Sequence, residues 1–345
     1  MASKYHETVV LFTWEVNDRL KKYFKTHLED TPKLTLLFPE EVSDEVLLKL
    51  APGTDIMVGW RVPDEVKLAA TKMQLYINPG VGIKHHIDFF RKLNQTRKVL
   101  LINGHGNSYF TAQHVVAMLL ALMNKIIPHH NWMKSGLWRK RDADAASIPL
   151  RYRKVGLLGY GAINTKVHRF LKGFDIEFSI LRRNWPKKKQ KLPIMAKRYH
   201  PDELLSFLEE NDILIVAVPE TSRTIGLIGS NELTRLGSKG LLVNVSRGSV
   251  IDEVALFQAL RDNVIAGAAI DVWYNYSPDP DDQGQRFPYS THTPFHSLDN
   301  VILSPHRAAS PFDDLERWNE VIENIKRFNR GEETFLNVVD LNQEY

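Results

Sequence analysis

Short runs of apolar residues alternate along this chain with longer segments whose apolar positions recur every three or four residues. In the first third, residues 9–13, 34–38, 56–58 and 75–78 read as strands, and residues 16–24 and 42–50 as helices. Such alternation predicts a parallel α/β unit, since a parallel strand is reached only through a crossover connection. The same rhythm returns further on, with strands expected at 155–158, 177–181, 213–218, 240–244, 266–270 and 300–303. Helices fit the gaps, among them 201–210 and 253–262. Two doubly wound units are therefore expected. Between them lies a segment, 111–127, read as one helix. Its core, 115–123, is the longest apolar stretch and is too short to span a bilayer, so it is expected to be a buried helix. Near the end, Leu315, Trp318, Ile322, Ile325 and Phe328 keep helical spacing up to Gly331, a suitable cap. The short segment 335–339 is expected to return the chain to the first unit.

Bulk numbers narrow the picture further. With 345 residues the chain exceeds the usual size of a single core, which agrees with two domains. A content of 43% hydrophobic and 25% charged residues is that of an ordinary globular protein. There is no cysteine, which excludes disulfides, thiolate metal sites and a cysteine nucleophile and suits a reducing compartment. The start, with Lys4, His6 and Glu7, does not read as a secretory leader, so a cytoplasmic location is expected. The net charge of +4 comes partly from a lysine-rich loop at 187–191 rather than from a basic stripe with interleaved aromatics. Neither nucleic acid nor membrane is an expected partner. His85-His86 and His129-His130 are adjacent pairs without helix-spaced partners, so no metal site is expected.

Candidate chemistry begins at residues 153–164, Arg-Lys-Val-Gly-Leu-Leu-Gly-Tyr-Gly-Ala-Ile-Asn. An apolar run turns through Gly159 and Gly161 into an amphipathic segment. A dinucleotide pyrophosphate needs such a strand end, a turn whose glycines let backbone approach the phosphates, and a helix N-terminus that favours an anion. The third position of the Gly-x-Gly-x-x-Gly pattern holds Asn164. Two later strands end in single functional side chains: Arg247 follows 242–246, and His306 follows Ser304-Pro305. Ligands of open α/β sheets bind beyond the carboxyl ends of the strands, so both are expected to face the region of the glycine turn.

Taken with Asn78-Pro79-Gly80-Val81-Gly82, Asn107-Ser108, residues 212–219, 244–251 and 267–272, and the closing Gly331-Glu332 and Asn337-Val338-Val339, these motifs make the chain resemble the D-2-hydroxyacid dehydrogenase family. That family includes glyoxylate and hydroxypyruvate reductases, phosphoglycerate dehydrogenases and, more distantly, formate dehydrogenases. The resemblance covers nearly the whole chain. It implies an α/β fold of two doubly wound Rossmann-like domains, with a cofactor domain (105–304) inserted into a discontinuous flavodoxin-like substrate domain (1–104 and 305–345). It also implies a crevice that closes on the substrate, and a homodimer.

The implied activity is hydride transfer between NAD(P)(H) and a small 2-oxo or 2-hydroxy acid. Arg247 offers a planar fork for the carboxylate and carbonyl oxygens. His306 is expected as general acid in reduction and base in oxidation. Backbone N–H groups of Val81 and Gly82, with Asn107, are expected to hold the carboxylate. Trp60 is expected in the core, with a pocket wall as its other reading, and loops around Trp60, Tyr109, Tyr276 and Phe295 are expected to shape the substrate pocket. Cofactor contacts are implied at Gly159, Tyr160, Gly161, Ala162, Ile163, Arg182, Arg183, Val218, Pro219, Thr224, Val245, Ser246, Asp271 and Ala308.

Four departures from the family pattern matter. A glutamate usually follows the Asp-Val-Phe segment and pairs with the histidine, whereas Asp271-Val272-Trp273-Tyr274-Asn275-Tyr276 puts Tyr276 there. A lost opposite charge shifts a pKa by roughly one to three units, so His306 is expected to hold its proton only at lower pH. The Tyr276 hydroxyl orienting the ring, and substitution by Asp279, Asp281 or Asp282, are both open. Second, the strand at 177–181 ends in Arg182-Arg183-Asn184 instead of the acid that holds the adenosine ribose. Two guanidinium groups suit a 2′-phosphate, so NADP(H) is the preferred cofactor, with NAD(H) possible. Asn164 in the turn and Gln113 at the start of the linking helix are the smaller departures. Formate dehydrogenases also lack the glutamate, carrying glutamine instead, and the insert at 277–300 is similar to theirs, so formate oxidation is one alternative. A non-catalytic, NAD(P)-sensing protein like the related transcriptional corepressors is the other.

Overall fold

The computed structural model describes residues 7–139, 142–186 and 191–345. Lys4, His6 and most of the lysine run, 187–190, lie outside them. The first nine elements alternate strand and helix: β1 (Thr8–Phe12), α1 (Asp18–Leu28), β2 (Leu34–Leu37), α2 (Asp44–Leu50), β3 (Ile56–Val58), α3 (Asp64–Ala69), β4 (Leu75–Asn78), α4 (Lys84–Leu93) and β5 (Leu100–Asn103). Three helices follow, α5 (Ser108–Met123), α6 (Ile126–Lys134) and α7 (Asp142–Ala145). Alternation then resumes through β6 (Lys154–Leu158), α8 (Ala162–Leu171), β7 (Glu177–Leu181), β8 (Ala196–Tyr199), α9 (Leu204–Glu209), β9 (Ile213–Val216), α10 (Ser230–Leu236), β10 (Leu241–Asn244), α11 (Glu253–Arg261), β11 (Gly267–Ile270) and β12 (Val301–Leu303). The last helix is α12 (Asn319–Asn329).

These elements form two units, one ending at Asn107 and resuming over Pro311–Tyr345, the other Ser108–Ser310. In the first, five parallel strands are ordered β2-β1-β3-β4-β5, the flavodoxin-like order. In the second, seven parallel strands are ordered β12-β11-β10-β9-β6-β7-β8. The chain leaves β6 in one direction through β7 and β8, then returns to β9 and proceeds the other way. That reversal is a Rossmann switch point, and it places the carboxyl ends of β6 and β9 side by side. The two doubly wound parallel sheets expected from the alternation are both present.

Local chemistry explains the elements. Asn17 caps α1, its side chain accepting the Leu20 N–H at 2.9 Å, while Leu20, Phe24 and Leu28 bury one stripe. Every residue of β9, β10 and β11 is buried, which is why these strands read as uninterrupted apolar runs. At the C-terminal end, Gly331 has φ +72°, and its N–H and that of Glu332 donate to Phe328 O and Arg327 O, closing a Schellman motif. The chain then returns as expected. Ile102 and Val338 form an antiparallel bridge, and the Val339 N–H donates to Leu101 O at 2.8 Å.

The structure corrects the expected elements in three places. Strand β5 was not foreseen, although it reads Leu-Leu-Ile-Asn. Strand β8 was also missed, because as the edge of its sheet it buries only Tyr199 among Ala-Lys-Arg-Tyr. The helix expected over 111–127 is two helices that meet at 62°, with Lys125 left-handed at φ +52°. Apolar periodicity continues through that break, so the pattern could not reveal it. No single described helix is long and apolar enough to cross a membrane.

Candidate active site

The glycine turn follows β6 at the switch point. Gly159 has φ +82°, and a Cβ there would lie 2.7 Å from the Ala217 carbonyl oxygen, so glycine is required by conformation and by packing. Gly161 precedes α8, and a Cβ there would meet nothing within 4 Å. The space beside Gly161 is open at a helix N-terminus, where Ala162 and Ile163 begin the first turn with its unpaired N–H groups. A pyrophosphate fits this arrangement. Asn164, fully buried, donates its amide to Gly159 O at 2.7 Å and Leu158 O at 3.2 Å, tying the turn to its helix. The Tyr160 side chain points into the core, where its hydroxyl meets His168 Nδ1 at 2.8 Å. Burial pushes the Tyr160 phenol up to about 12 and the His168 imidazole down to about 4. Tyr160 therefore has only its backbone to offer a cofactor.

The end of β7 is basic. The Arg182 guanidinium lies 5.5 Å from the centre of the Trp185 ring, and Arg198, from β8, lies 4.5 Å from the same ring. The indole N–H donates to Tyr199 O at 3.1 Å, which fixes the ring between the two strands. Arg183 stands next to Arg182, and residues 181–185 carry no acid. Arg198 was missed because the strand that carries it was missed. After β9, Val218 is partly buried, and the Thr224 hydroxyl donates to Pro219 O at 2.6 Å and accepts the Thr221 N–H at 2.8 Å, closing the next turn.

Asn244 ends β10. Its Oδ1 accepts the Ser246 N–H at 3.0 Å and hydroxyl at 2.6 Å, and its amide donates to Arg247 O at 3.2 Å. Val245 is buried in the core, so its side chain serves packing. The Arg247 guanidinium donates to Ser246 O at 2.6 Å and is partly exposed. A Cβ on Gly248 would collide with the Trp273 carbonyl, so glycine lets the Arg247 loop lie directly against the loop after β11.

That second loop carries Asp271 and Tyr276, and a third, after β12, carries His306. Asp271 is 1% exposed. Its carboxylate accepts the Arg307 N–H at 2.7 Å, the Ala308 N–H at 3.1 Å and the Ser304 hydroxyl. The Trp273 indole donates to Ser304 O at 2.8 Å. These bonds hold His306 in a left-handed conformation, φ +54°, that non-glycine residues seldom adopt. Asp271 and Ala308, both expected at the cofactor, thus have their carboxylate and N–H engaged in building the histidine loop.

The Tyr276 and His306 rings are 5.3 Å apart, edge to face. The Tyr276 hydroxyl accepts the Trp273 N–H at 3.3 Å, so the tyrosine contacts the imidazole through its ring. Burial, opposed by the Trp273 hydrogen bond and ahead of smaller charge effects, raises its pKa above the ordinary tyrosine value near 10, so it stays neutral. Asp281 turns inward on its own loop, accepting the Gln283 and Gln285 N–H groups at 2.9 and 2.7 Å. The negative charge nearest in effect to His306 is Asp271. Burial lowers the His306 pKa, Arg247 and Arg307 lower it further, and Asp271 opposes them. The direction agrees with the loss of the family glutamate, but burial is the leading cause.

The residues expected at the substrate lie in the first unit. Trp60 is 40% exposed, which corrects its expected place in the core. Its ring packs at 4.8 Å from Trp14 and 5.9 Å from Trp318, and its carbonyl accepts from His85 Nε2 at 2.7 Å and His86 Nε2 at 2.9 Å. A Cβ on Gly80 would lie 3.3 Å from the Trp60 Nε1, so the indole stands against the segment that carries Val81 and Gly82. Asn78, buried at the end of β4, donates to the carbonyls of Gly80 and Gly82 and shapes that segment. Asn107 is partly buried. Phe295, expected at the pocket, is fully buried against Phe257, Trp273 and Tyr289, because the apolar end of its insert closes the core. Tyr109 is exposed and packs edge-on against Phe170 at 5.1 Å.

Two parallel sheets and a glycine turn at a switch point define a fold of the dinucleotide-binding class. Residues 116–308 match the model of the D-isomer specific 2-hydroxyacid dehydrogenase, NAD binding domain. The chain is 30% identical over 323 residues to a glyoxylate reductase of Korarchaeum cryptofilum, covering 90% of this chain and 84% of that one. It is 29% identical over 303 residues to a glyoxylate reductase of Pyrococcus furiosus, covering 85% and 84%. In fold it is similar to the NADPH-dependent glyoxylate/hydroxypyruvate reductase of Sinorhizobium meliloti, solved in complex with NADP and malonate. That match has a TM-score of 0.72 at 24% identity and covers 98% of each chain. This chain belongs to the D-isomer specific 2-hydroxyacid dehydrogenase family, as its motifs led us to expect.

Proposed function

We propose that the protein is a reductase of small 2-oxo acids such as glyoxylate or hydroxypyruvate, with NADPH as the preferred cofactor. The observation that carries this reading is that the loops bearing Arg247 and His306 are both held to the loop after β11, at the carboxyl edge of the seven-stranded sheet. The nicotinamide, when bound, supplies the hydride. Arg247 binds the carboxylate and carbonyl oxygens and stabilises charge developing on the latter. His306 gives a proton from its imidazolium to the nascent alkoxide, so hydride and proton together yield the 2-hydroxy acid. Tyr276, neutral and in contact with the His306 ring, limits the ring's movement without raising its pKa. Gly159, Gly161, Ala162 and Ile163 hold the pyrophosphate, and Arg182 and Arg183 hold the 2′-phosphate. Val81, Gly82, Asn107 and Trp60 serve the substrate. We assign homodimer formation to the exposed apolar strip of Ile126, Ile127, Met133, Leu137 and Trp138.

The test is absorbance decay of NADPH and of NADH against a panel of 2-oxo acids between pH 5 and 8. Turnover with NADPH is expected, fading as pH rises. The double variant Arg182→Ala, Arg183→Ala is expected to weaken NADPH roughly tenfold or more while leaving NADH nearly unchanged, because charge-assisted hydrogen bonds to phosphate are lost. Equal losses for both cofactors would sink the 2′-phosphate assignment. Tight NADPH binding without turnover would leave a cofactor-sensing protein in place of the reductase.

A further inference from the structure

A second histidine stands behind His306 with no role in the proposed reaction. His114 lies on α5, partly exposed, with its Nε2 at 3.0 Å from Ser304 Oγ and 3.7 Å from Asp271 Oδ1. The Ser304 hydroxyl gives its only proton to Asp271, so it must accept from His114, which defines the Nε2–H form of that ring. The same carboxylate accepts the two N–H groups that follow His306. A chain of hydrogen bonds therefore runs from His114 through Ser304 and Asp271 to the backbone that sets the His306 conformation.

We propose that His114 is a positioning residue for His306, acting through Ser304 and Asp271 on the backbone that carries the imidazole. The part of this proposal that concerns rate rests on the reading of His306 as the acid. Orientation follows from geometry: without the His114 donor, Ser304 Oγ loses one of its two partners, and the Asp271 carboxylate is held less firmly against the Arg307 and Ala308 N–H groups. The charges that act on the His306 imidazole are Asp271, Arg247 and Arg307, and the Tyr276 ring lies against it.

The experiment follows the imidazole resonances of His306 by NMR in the full-length, histidine-labelled protein. It compares wild type with His114→Asn, which keeps a donor, and His114→Leu, which does not. His114→Leu is expected to shift the His306 resonances, and His114→Asn to leave them close to their wild-type positions. His114→Leu is expected to lose about tenfold in kcat with less than a threefold change in KM for the 2-oxo acid, and His114→Asn to recover most of that loss. His306 resonances that are the same in wild type and His114→Leu would overturn the positioning role. An undiminished kcat in His114→Leu, or no recovery in His114→Asn, would overturn the positioning role. If His114→Leu fails to fold, Ser304→Ala, which breaks the same chain one step on, makes the comparison in its place. The NMR readout needs no turnover, so failure of the reductase reading and failure of this proposal are separable.

Discussion

The loop after β4 and the loop after β12 hold a backbone segment in place at the carboxyl edge of their own sheets, and they do it with different chemistry. After β4 the clamp is neutral: the Asn78 amide binds the carbonyls of Gly80 and Gly82, and His86, held down at about 3 chiefly by burial, binds the Trp60 carbonyl. After β12 the clamp is a buried carboxylate, Asp271, that accepts two backbone N–H groups and a hydroxyl beside a histidine. A neutral clamp fixes shape alone. A charged clamp fixes shape and also biases the proton affinity of what it holds.

That contrast breaks first, and most strongly, at the chemistry itself. His306→Gln or Arg247→Gln is expected to lower kcat for 2-oxo acid reduction by about a hundredfold or more, with little change in melting temperature. Each unit carries a buried histidine that weakens it in acid. His168 is lowered to about 4 and His86 to about 3, both chiefly by burial, while the unfolded chain protonates histidine near 6.5. Below that value the unfolded state takes up protons that the folded state refuses. Stability is therefore complete above pH 6.5 and falls as pH drops toward 4, by on the order of 3 kcal/mol for His168 alone. Urea midpoints measured across that range check it, and a flat profile would contradict neutral burial of these rings.

Smaller effects sharpen the comparison within the glycine turn and at the clamps. Gly159→Ala meets both a positive φ and the Ala217 carbonyl, and is expected to destabilise the fold by about 1–3 kcal/mol. Gly161→Ala meets open space and should melt like wild type while binding NADPH more weakly. Equal melting losses for both would show that the space beside Gly161 does not serve a ligand. Asn78→Ala should lower stability by about 1 kcal/mol with no effect on the His306 titration. Asp271→Asn should move that titration down, because it removes the one charge that favours the imidazolium.

Much of the site was legible because it sits in short motifs with a mechanical reason. Gly159 was found through the turn it must make, and Arg247 and His306 through their places at strand ends. The lost glutamate was visible as Tyr276. The role of Asp271 was not, because its partners are backbone N–H groups 36 and 37 residues away, and nothing local marks a carboxylate that folds a distant loop. Ser304 and His114 were missed for the same reason, being 190 residues apart in the chain and 3.0 Å apart in space. Arg198 went with its strand: an edge strand that buries one residue in four carries almost no apolar signal.

Sequence alone determined the class of fold, the family, the glycine turn and the identities of the arginine and histidine, because each depends on periodicity or on residues close together in the chain. Only tertiary structure decided that Trp60 is exposed while Phe295 is core, that Tyr160 turns inward, and that Tyr276 meets His306 with its ring while its hydroxyl binds backbone. Side-chain direction at a loop is set by which distant elements pack against it. That information is spread over the chain, so no local pattern of hydrophobic and polar positions carries it.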